Sequence, residues 1–117
     1  MGAGSSSTAD FIEQYGLVRR FLDEAKRDPA TFAVSKRVYL AVDNDRERAE
    51  RRLRAWFGVR YKNADMASRV AVWGSRAECL NKLGEIVQAG TQHLMLNPVF
   101  DEMDHLELLA QDIMPHL

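Results

Sequence analysis

Two short apolar runs, residues 36–42 and 93–97, are each preceded and followed by a helical pattern. This alternation limits the fold more than any other feature. Strand–helix–strand connections within one sheet are right-handed crossovers, and they make neighbouring strands parallel. In the first run Val38, Leu40 and Val42 point one way, Tyr39 and Ala41 the other. Both faces are therefore apolar, as expected of a parallel strand covered on both sides. Only these two runs read clearly as strands, and two parallel strands cannot bury four amphipathic helices. The chain thus reads as a segment of a larger barrel or sheet, or as a unit that completes itself by pairing with another copy.

The helices are marked by their caps and stripes. Ser7-Thr8-Ala9-Asp10 has capping-box spacing, and Phe11, Tyr15, Val18, Leu22 and Ala25 then share one face up to about Lys26, with Asp28-Pro29 as the stop. After the first strand, Asn44 and Glu47 have capping-box spacing. Ala49, Leu53, Trp56 and Phe57 form the stripe, and Gly58 is the expected stop. Residues 59–69 show no period beyond one turn near residues 64–67, and residues 70–73 form a brief strand or an extended segment. Ser75 and Glu78 open the third long helix, Leu80, Leu83, Ile86 and Val87 face its core, and Gly90 closes it. After the second strand, ended by Pro98, a last helix opens at residues 101–104, with Leu106, Leu109, Ala110 and Ile113 as its stripe.

Composition excludes several classes. A net charge of −1 over 117 residues argues against a dedicated nucleic-acid or membrane-surface binder. The single cysteine, Cys79, permits no internal disulfide and fits a reducing, cytoplasmic compartment. No apolar run approaches the roughly 20 residues that span a bilayer, and the first residues lack signal-peptide character.

Few residues suggest chemistry. Gly2-Ala3-Gly4-Ser5-Ser6-Ser7 precedes a helix start, where backbone N–H groups favour an anion, but no Gly-Lys-Ser/Thr follows to make a P-loop. A flexible leader fits the stretch equally well. Asp43 and Asn97 stand at the C-terminal ends of the strands, where α/β folds place ligands. A helix cap is the better reading of Asp43; for Asn97 a ligand contact and a turn residue are even. His93, His105 and His116 lack metal-ligand spacing and read as surface or boundary residues. Cys79 reads as structural, and Asp101, Glu102 and Asp104 as first-turn carboxylates. The arginines from Arg46 to Arg54 read as a solvated face with Glu47–Arg51 and Glu50–Arg54 pairs.

The run from Trp73-Gly74-Ser75-Arg76-Ala77-Glu78-Cys79, through Ala89-Gly90, to His93-Leu94-Met95-Leu96-Asn97-Pro98 resembles the C-terminal end of luciferase-like monooxygenases. Glu24-Ala25-Lys26-Arg27-Asp28-Pro29 and the closing Ile113-Met114-Pro115-His116-Leu117 are similar to the same family. Arg76 departs from it, since proline is frequent there. The resemblance implies an α/β chain that is the C-terminal segment of a (β/α)8 TIM barrel. Its order is helix-strand-helix-helix-strand-helix with parallel strands, and residues 1–117 form one partial barrel domain lacking its upstream strands. It also implies FMN or F420 as cofactor, a small-molecule substrate in the full-length enzyme, and a homo-oligomer with neither nucleic acid nor membrane as partner. Flavin members oxygenate their substrates; F420 members transfer hydride. Gly4, Ser5, Ser6 and Asn97 are the candidate cofactor contacts, no catalytic residue can be carried over, and no metal is implied. Two other readings stay open: a non-catalytic fragment or assembly module that folds by self-association, and an unrelated α/β protein with a phosphate site at the Gly/Ser loop.

Overall fold

A computed structural model describes all residues from Met1 to Leu117. Its centre is a strand, β2 (Ser35–Val42), flanked by β1 (Gly2–Ala3), β3 (Ala71–Gly74) and β4 (His93–Pro98), all parallel to it. Strand β4 pairs along Ser35–Leu40, whereas β1 takes Ser35 and Lys36 and β3 takes Tyr39 to Val42. Residues paired on both sides place β4 on one edge of β2, and β1 and β3 one beyond the other on the opposite edge. Between those two, Arg37 and Val38 have no strand neighbour.

The sheet therefore has four strands, not the two that read clearly in the sequence. Residues 2–3 form a strand where a flexible leader was one reading. The ambiguous run at 70–73 becomes β3 because its backbone groups find partners on the upper half of β2, which β1 leaves free.

The alternation in β2 builds two cores. Val38 and Leu40 pack with Phe11, Cys79, Leu83, Ile86, Leu109 and Ile113 on one face. Tyr39 and Ala41 pack with Ala49, Leu53, Phe57, Ala67 and Val99 on the other. Each fully buried leucine or phenylalanine contributes roughly 1.5–3 kcal/mol over its exposed state. The first face is covered by α1 (Thr8–Glu24) and α4 (Arg76–Gln88), the second by α2 (Arg46–Arg60) and α3 (Met66–Val70).

The caps correct the expected boundaries at α2. Asp45, not Asn44, accepts the Arg48 N–H at 3.0 Å. Asp43 accepts the Asp45 N–H at 2.9 Å, and this tight turn places Asn44 before the cap. Gly58 does not stop the helix, because its φ is not positive; the helix runs to Arg60 with Tyr61 as its cap, and Lys62 takes a positive φ of 56°. The Ser75–Glu78 capping box forms in both directions. Gly90 closes the α4 end with φ +113°, and a Cβ there would lie 2.5 Å from Tyr15. Val87 and Ala25, assigned to buried stripes, lie exposed at the margins of their helices.

The last helix, α5 (Glu102–Leu108), departs most from its pattern. It continues as a π-helical turn over Leu109–Ile113, so the buried residues are His105, Leu109 and Ile113. Leu106 and Ala110, expected inside, face outward. Arg76, at the position where proline would start α4, donates to the Asp112 carbonyl at 2.9 Å and meets His116 Nε2 at 2.9 Å. It ties the start of α4 to the chain's end. No helix is long and apolar enough to cross a membrane.

Candidate functional site

Gly4, Ser5 and Ser6 leave the end of β1 beside the gap at Arg37 and Val38. The gap is closed by Lys36, which is 2% exposed. Its ammonium donates to the carbonyls of Gly4 at 2.8 Å, Ser6 at 2.9 Å and Arg37 at 3.0 Å. A buried ammonium needs all its donors satisfied, and here three carbonyls do so with no carboxylate. Burial pushes the Lys36 pKa down, partly offset by the Tyr39 phenol.

The loop is also held from α2. Tyr61, at the end of that helix, hydrogen-bonds Tyr39 and lies 3.3 Å from the Ser5 hydroxyl. Burial would raise the Tyr39 pKa, but the hydroxyls of Tyr61 and Ser5 and the Arg37 guanidinium outweigh it and bring it below its ordinary value. Tyr39, Trp56, Phe57 and Tyr61 form one aromatic cluster with ring centroids 5.1–6.1 Å apart.

Asn97 is the register partner of Tyr39 on β4. The structure therefore sets the Gly4–Ser6 loop and Asn97 on opposite edges of β2, with Tyr39 between them. It does not bring them into direct contact. The Ser6 hydroxyl is buried without a partner, and a Cβ at Gly4 would meet nothing within 4 Å. Arg37, His93 and Met95, which alternate with Asn97 and Tyr39 on the same sheet face, are exposed.

A concavity of about 410 Å³ opens at the C-terminal ends of β2 and β4 between Asp43, Arg48, Arg52, Asp101, Asp104 and His105. Asp43 accepts both Arg48 Nε at 2.8 Å and a terminal nitrogen at 2.7 Å, which holds its carboxyl below the usual range. Arg52 grips Asp101 with a similar fork at 2.5 and 3.0 Å and lies 3.9 Å from the Phe100 ring centre. Asp101 has a positive φ of 48°. These arginines spend their charge on carboxylates outside their helix, together with Arg46–Glu78 and Arg54–Asp65, in place of the expected pairs along α2. Asp43 is thus a turn and ion-pair residue.

His105 corrects the surface reading. It is 7% exposed; Val42 N–H donates to its Nε2 at 3.1 Å, and its Nδ1 faces the Asp101 carbonyl at 3.2 Å. With Nε2 accepting, Nδ1 carries the hydrogen. Cys79 is buried and its thiol is pushed up to about 12 by burial and the Glu78 charge. Its Sγ points at the carbonyls of Gly74 and Ala41, at 3.6 and 3.9 Å, as a structural thiol does. No group of three His, Cys, Asp or Glu side chains could hold a metal.

Lys36, Tyr39 and Tyr61 had no place among the sequence candidates. Lys36 left a signal: it falls on the same face as Val38 and Leu40, where a lysine must find partners. Tyr61, after an aperiodic boundary, left none.

No family model and no curated protein matches the chain in sequence. Solved structures do match it in shape. One is an F420-dependent secondary alcohol dehydrogenase in complex with an F420–acetone adduct, with TM-score 0.77, 14% identity, and coverage of 98% of this chain and 42% of that one. Another is the coenzyme F420-dependent tetrahydromethanopterin reductase from Methanopyrus kandleri, with TM-score 0.71, 17% identity, and coverage of 95% and 43%. The chain has the fold of part of a (β/α)8 TIM barrel. It spans less than half the length of the solved structures it matches.

Proposed function

We propose that the chain is the C-terminal part of a luciferase-like oxidoreductase, that its cofactor is F420, and that it supplies one wall of the cofactor site to an enzyme acting on a small molecule. The observation that carries this reading is the likeness in fold, over 98% of the chain, to an F420-dependent enzyme. The residues fit such a role. The partnerless Ser6 hydroxyl and the open space beside Gly4 leave room and a donor for a polar ligand. Gly4, Ser5 and Ser6 would hold it on one side of Tyr39 and Asn97 on the other, while Trp56, Phe57 and Tyr61 exclude water behind Tyr39. The deazaflavin, when bound, supplies the hydride chemistry; the protein supplies placement.

Fluorescence titration of F420 into the longest reading frame that contains this chain tests the proposal. Saturable binding that weakens when Ser5 and Ser6 are replaced by bulky residues is the expected result. Absence of F420 binding by that protein overturns it, and preferential binding of FMN would move the cofactor assignment to flavin.

A second reading, self-association without catalysis, is favoured by one observation: β4 pairs only with β2, so its outer edge offers unpaired backbone groups. Sedimentation of this chain alone separates the two. A dimer that binds neither cofactor favours this second reading, and a compact monomer removes it.

A further inference from the structure

We propose that Lys36 is a positioning residue that fixes which way the Gly4–Ser6 loop faces, turning its carbonyls inward and its amide donors outward toward the ligand. The inference rests on the reading of that loop as a cofactor wall and adds a residue that acts on it from beneath.

The register explains why a lysine is needed. Strand β1 stops after Ala3, and β3 begins to pair only at Tyr39. At the gap between them the Arg37 carbonyl faces no strand, and the departing loop must satisfy its own carbonyls. Left alone, these oxygens would point to water in whatever direction the loop relaxed. The Lys36 ammonium gathers three of them, two from the loop itself.

The consequence follows from peptide geometry. Every peptide unit in the chain is trans, so within one unit the C=O and N–H point in opposite directions. Drawing the Gly4 carbonyl onto Lys36 aims the Ser5 N–H away from it, and drawing in the Ser6 carbonyl does the same for Ser7 N–H. Neither amide has a backbone acceptor. Two donors with a common direction, next to the partnerless Ser6 hydroxyl, suit a ligand oxygen that carries negative charge. Tyr61 limits the loop from the other side through the Ser5 hydroxyl. A lysine serves where arginine would not, because its three donors diverge from one small atom whereas the arginine fork is planar.

The test compares the wild-type chain with Lys36→Met, Tyr61→Phe and Leu83→Ala. Leu83 lies in the core on the sheet face that Lys36 shares with Val38 and Leu40, makes no hydrogen bond to the loop, and serves as a control for lost stability. Backbone ¹⁵N relaxation of the chain reads the order of Ser5, Ser6 and Ser7, and F420 titration into the longest reading frame carrying the same substitutions reads the affinity. In Lys36→Met the order parameters of these amides should fall from near 0.85 to below about 0.6, with F420 binding weakened at least tenfold. Tyr61→Phe, which keeps the ring and removes one hydroxyl, should give a smaller change in the same direction. Leu83→Ala should lower the melting temperature and leave both readouts alone. The proposal is overturned if the loop stays ordered in Lys36→Met, or if Leu83→Ala disorders it as much. Should Lys36→Met not fold, unchanged loop order and affinity in Tyr61→Phe would equally overturn the clamp. If the longest reading frame that contains the chain binds no F420, that result counts against the function proposed above, and the relaxation measurements still decide the role of Lys36.

Discussion

Replacing His105 with alanine should destabilise the chain more than any other change to the polar groups at the strand ends. Strand β4 pairs with β2 only as far as Leu40, so the Val42 N–H on that edge has no strand to meet. His105 Nε2 is its acceptor. Leaving a part-buried N–H without a partner costs about 1–2 kcal/mol. The imidazole also meets the Phe100 ring edge-on, with centroids 5.9 Å apart and planes at 73°, a contact contributing about 0.5–1 kcal/mol. Together the loss is about 1.5–3 kcal/mol, to be set against a total stability of roughly 0.05–0.15 kcal/mol per residue. At roughly 4 °C per kcal/mol for a domain of this size, the melting temperature should fall by about 6–12 °C. Thermal unfolding followed by circular dichroism measures the whole effect, and hydrogen exchange at Val42 measures the local one. Exchange there should accelerate roughly five- to thirtyfold relative to Leu40. Glutamine places an amide oxygen at about the reach of Nε2, so His105→Gln should recover the Val42 protection without the ring contact. A melting temperature within about 2 °C of wild type in His105→Ala, with Val42 exchanging as before, would refute the assignment of His105 as the strand's missing acceptor.

Three further outcomes are expected. Cys79, with its thiol pushed up to about 12, should react with a disulfide reagent at pH 8 only as fast as the chain unfolds; rapid labelling of the native chain would contradict its burial. Gly90→Ala adds a Cβ at 2.5 Å from Tyr15 where φ is +113°; a loss of about 2–3 kcal/mol by chemical denaturation is expected, and Tyr15→Ala in the same chain should relieve only the overlap. The Asp43 carboxyl is held below the carboxylate range by Arg48, so its contribution is present above its unfolded pKa of about 3.9 and is lost as pH falls through the lower folded value. Arg48→Ala should therefore flatten the fall in stability below about pH 4, and an unchanged acid limb would count against the pair.

The fold was legible wherever the pattern was periodic and long. The alternation from Val38 to Val42 named both cores, and the Ser75–Glu78 box and Gly90 bounded α4 correctly. What escaped were elements defined by partners instead of by period. Gly2–Ala3 and Ala71–Gly74 are too short to show an alternation, and only their register against β2 makes them strands. The error at the last helix has a different cause. A π-turn inserts one extra residue per turn, so positions counted at 3.6 rotate out of phase. The spacing of four from His105 to Leu109 to Ile113 then replaces the stripe through Leu106 and Ala110.

The same distinction governs the candidate site. Gly4, Ser5, Ser6 and Asn97 could be picked out because residue type and position at a strand end were enough to suggest a ligand contact. What makes the loop a defined surface depends on a contact 32 residues away, from Lys36 to Gly4, and on another 56 residues away, between Ser5 and Tyr61. The arginines of α2 repeat the lesson with opposite sign. Arg51 and Arg54 have the favourable spacing to Glu47 and Glu50, yet neither pair forms: Arg54 turns to Asp65, while Arg48 and Arg52 fork onto Asp43 and Asp101. An exposed pair along a helix is worth only about 0.3–0.5 kcal/mol. A planar fork onto a carboxylate at a strand end offers two charge-assisted bonds and a fixed direction. Where local and distant partners compete for one side chain, sequence spacing ranks the local one, and the fold selects whichever partner it has already made rigid.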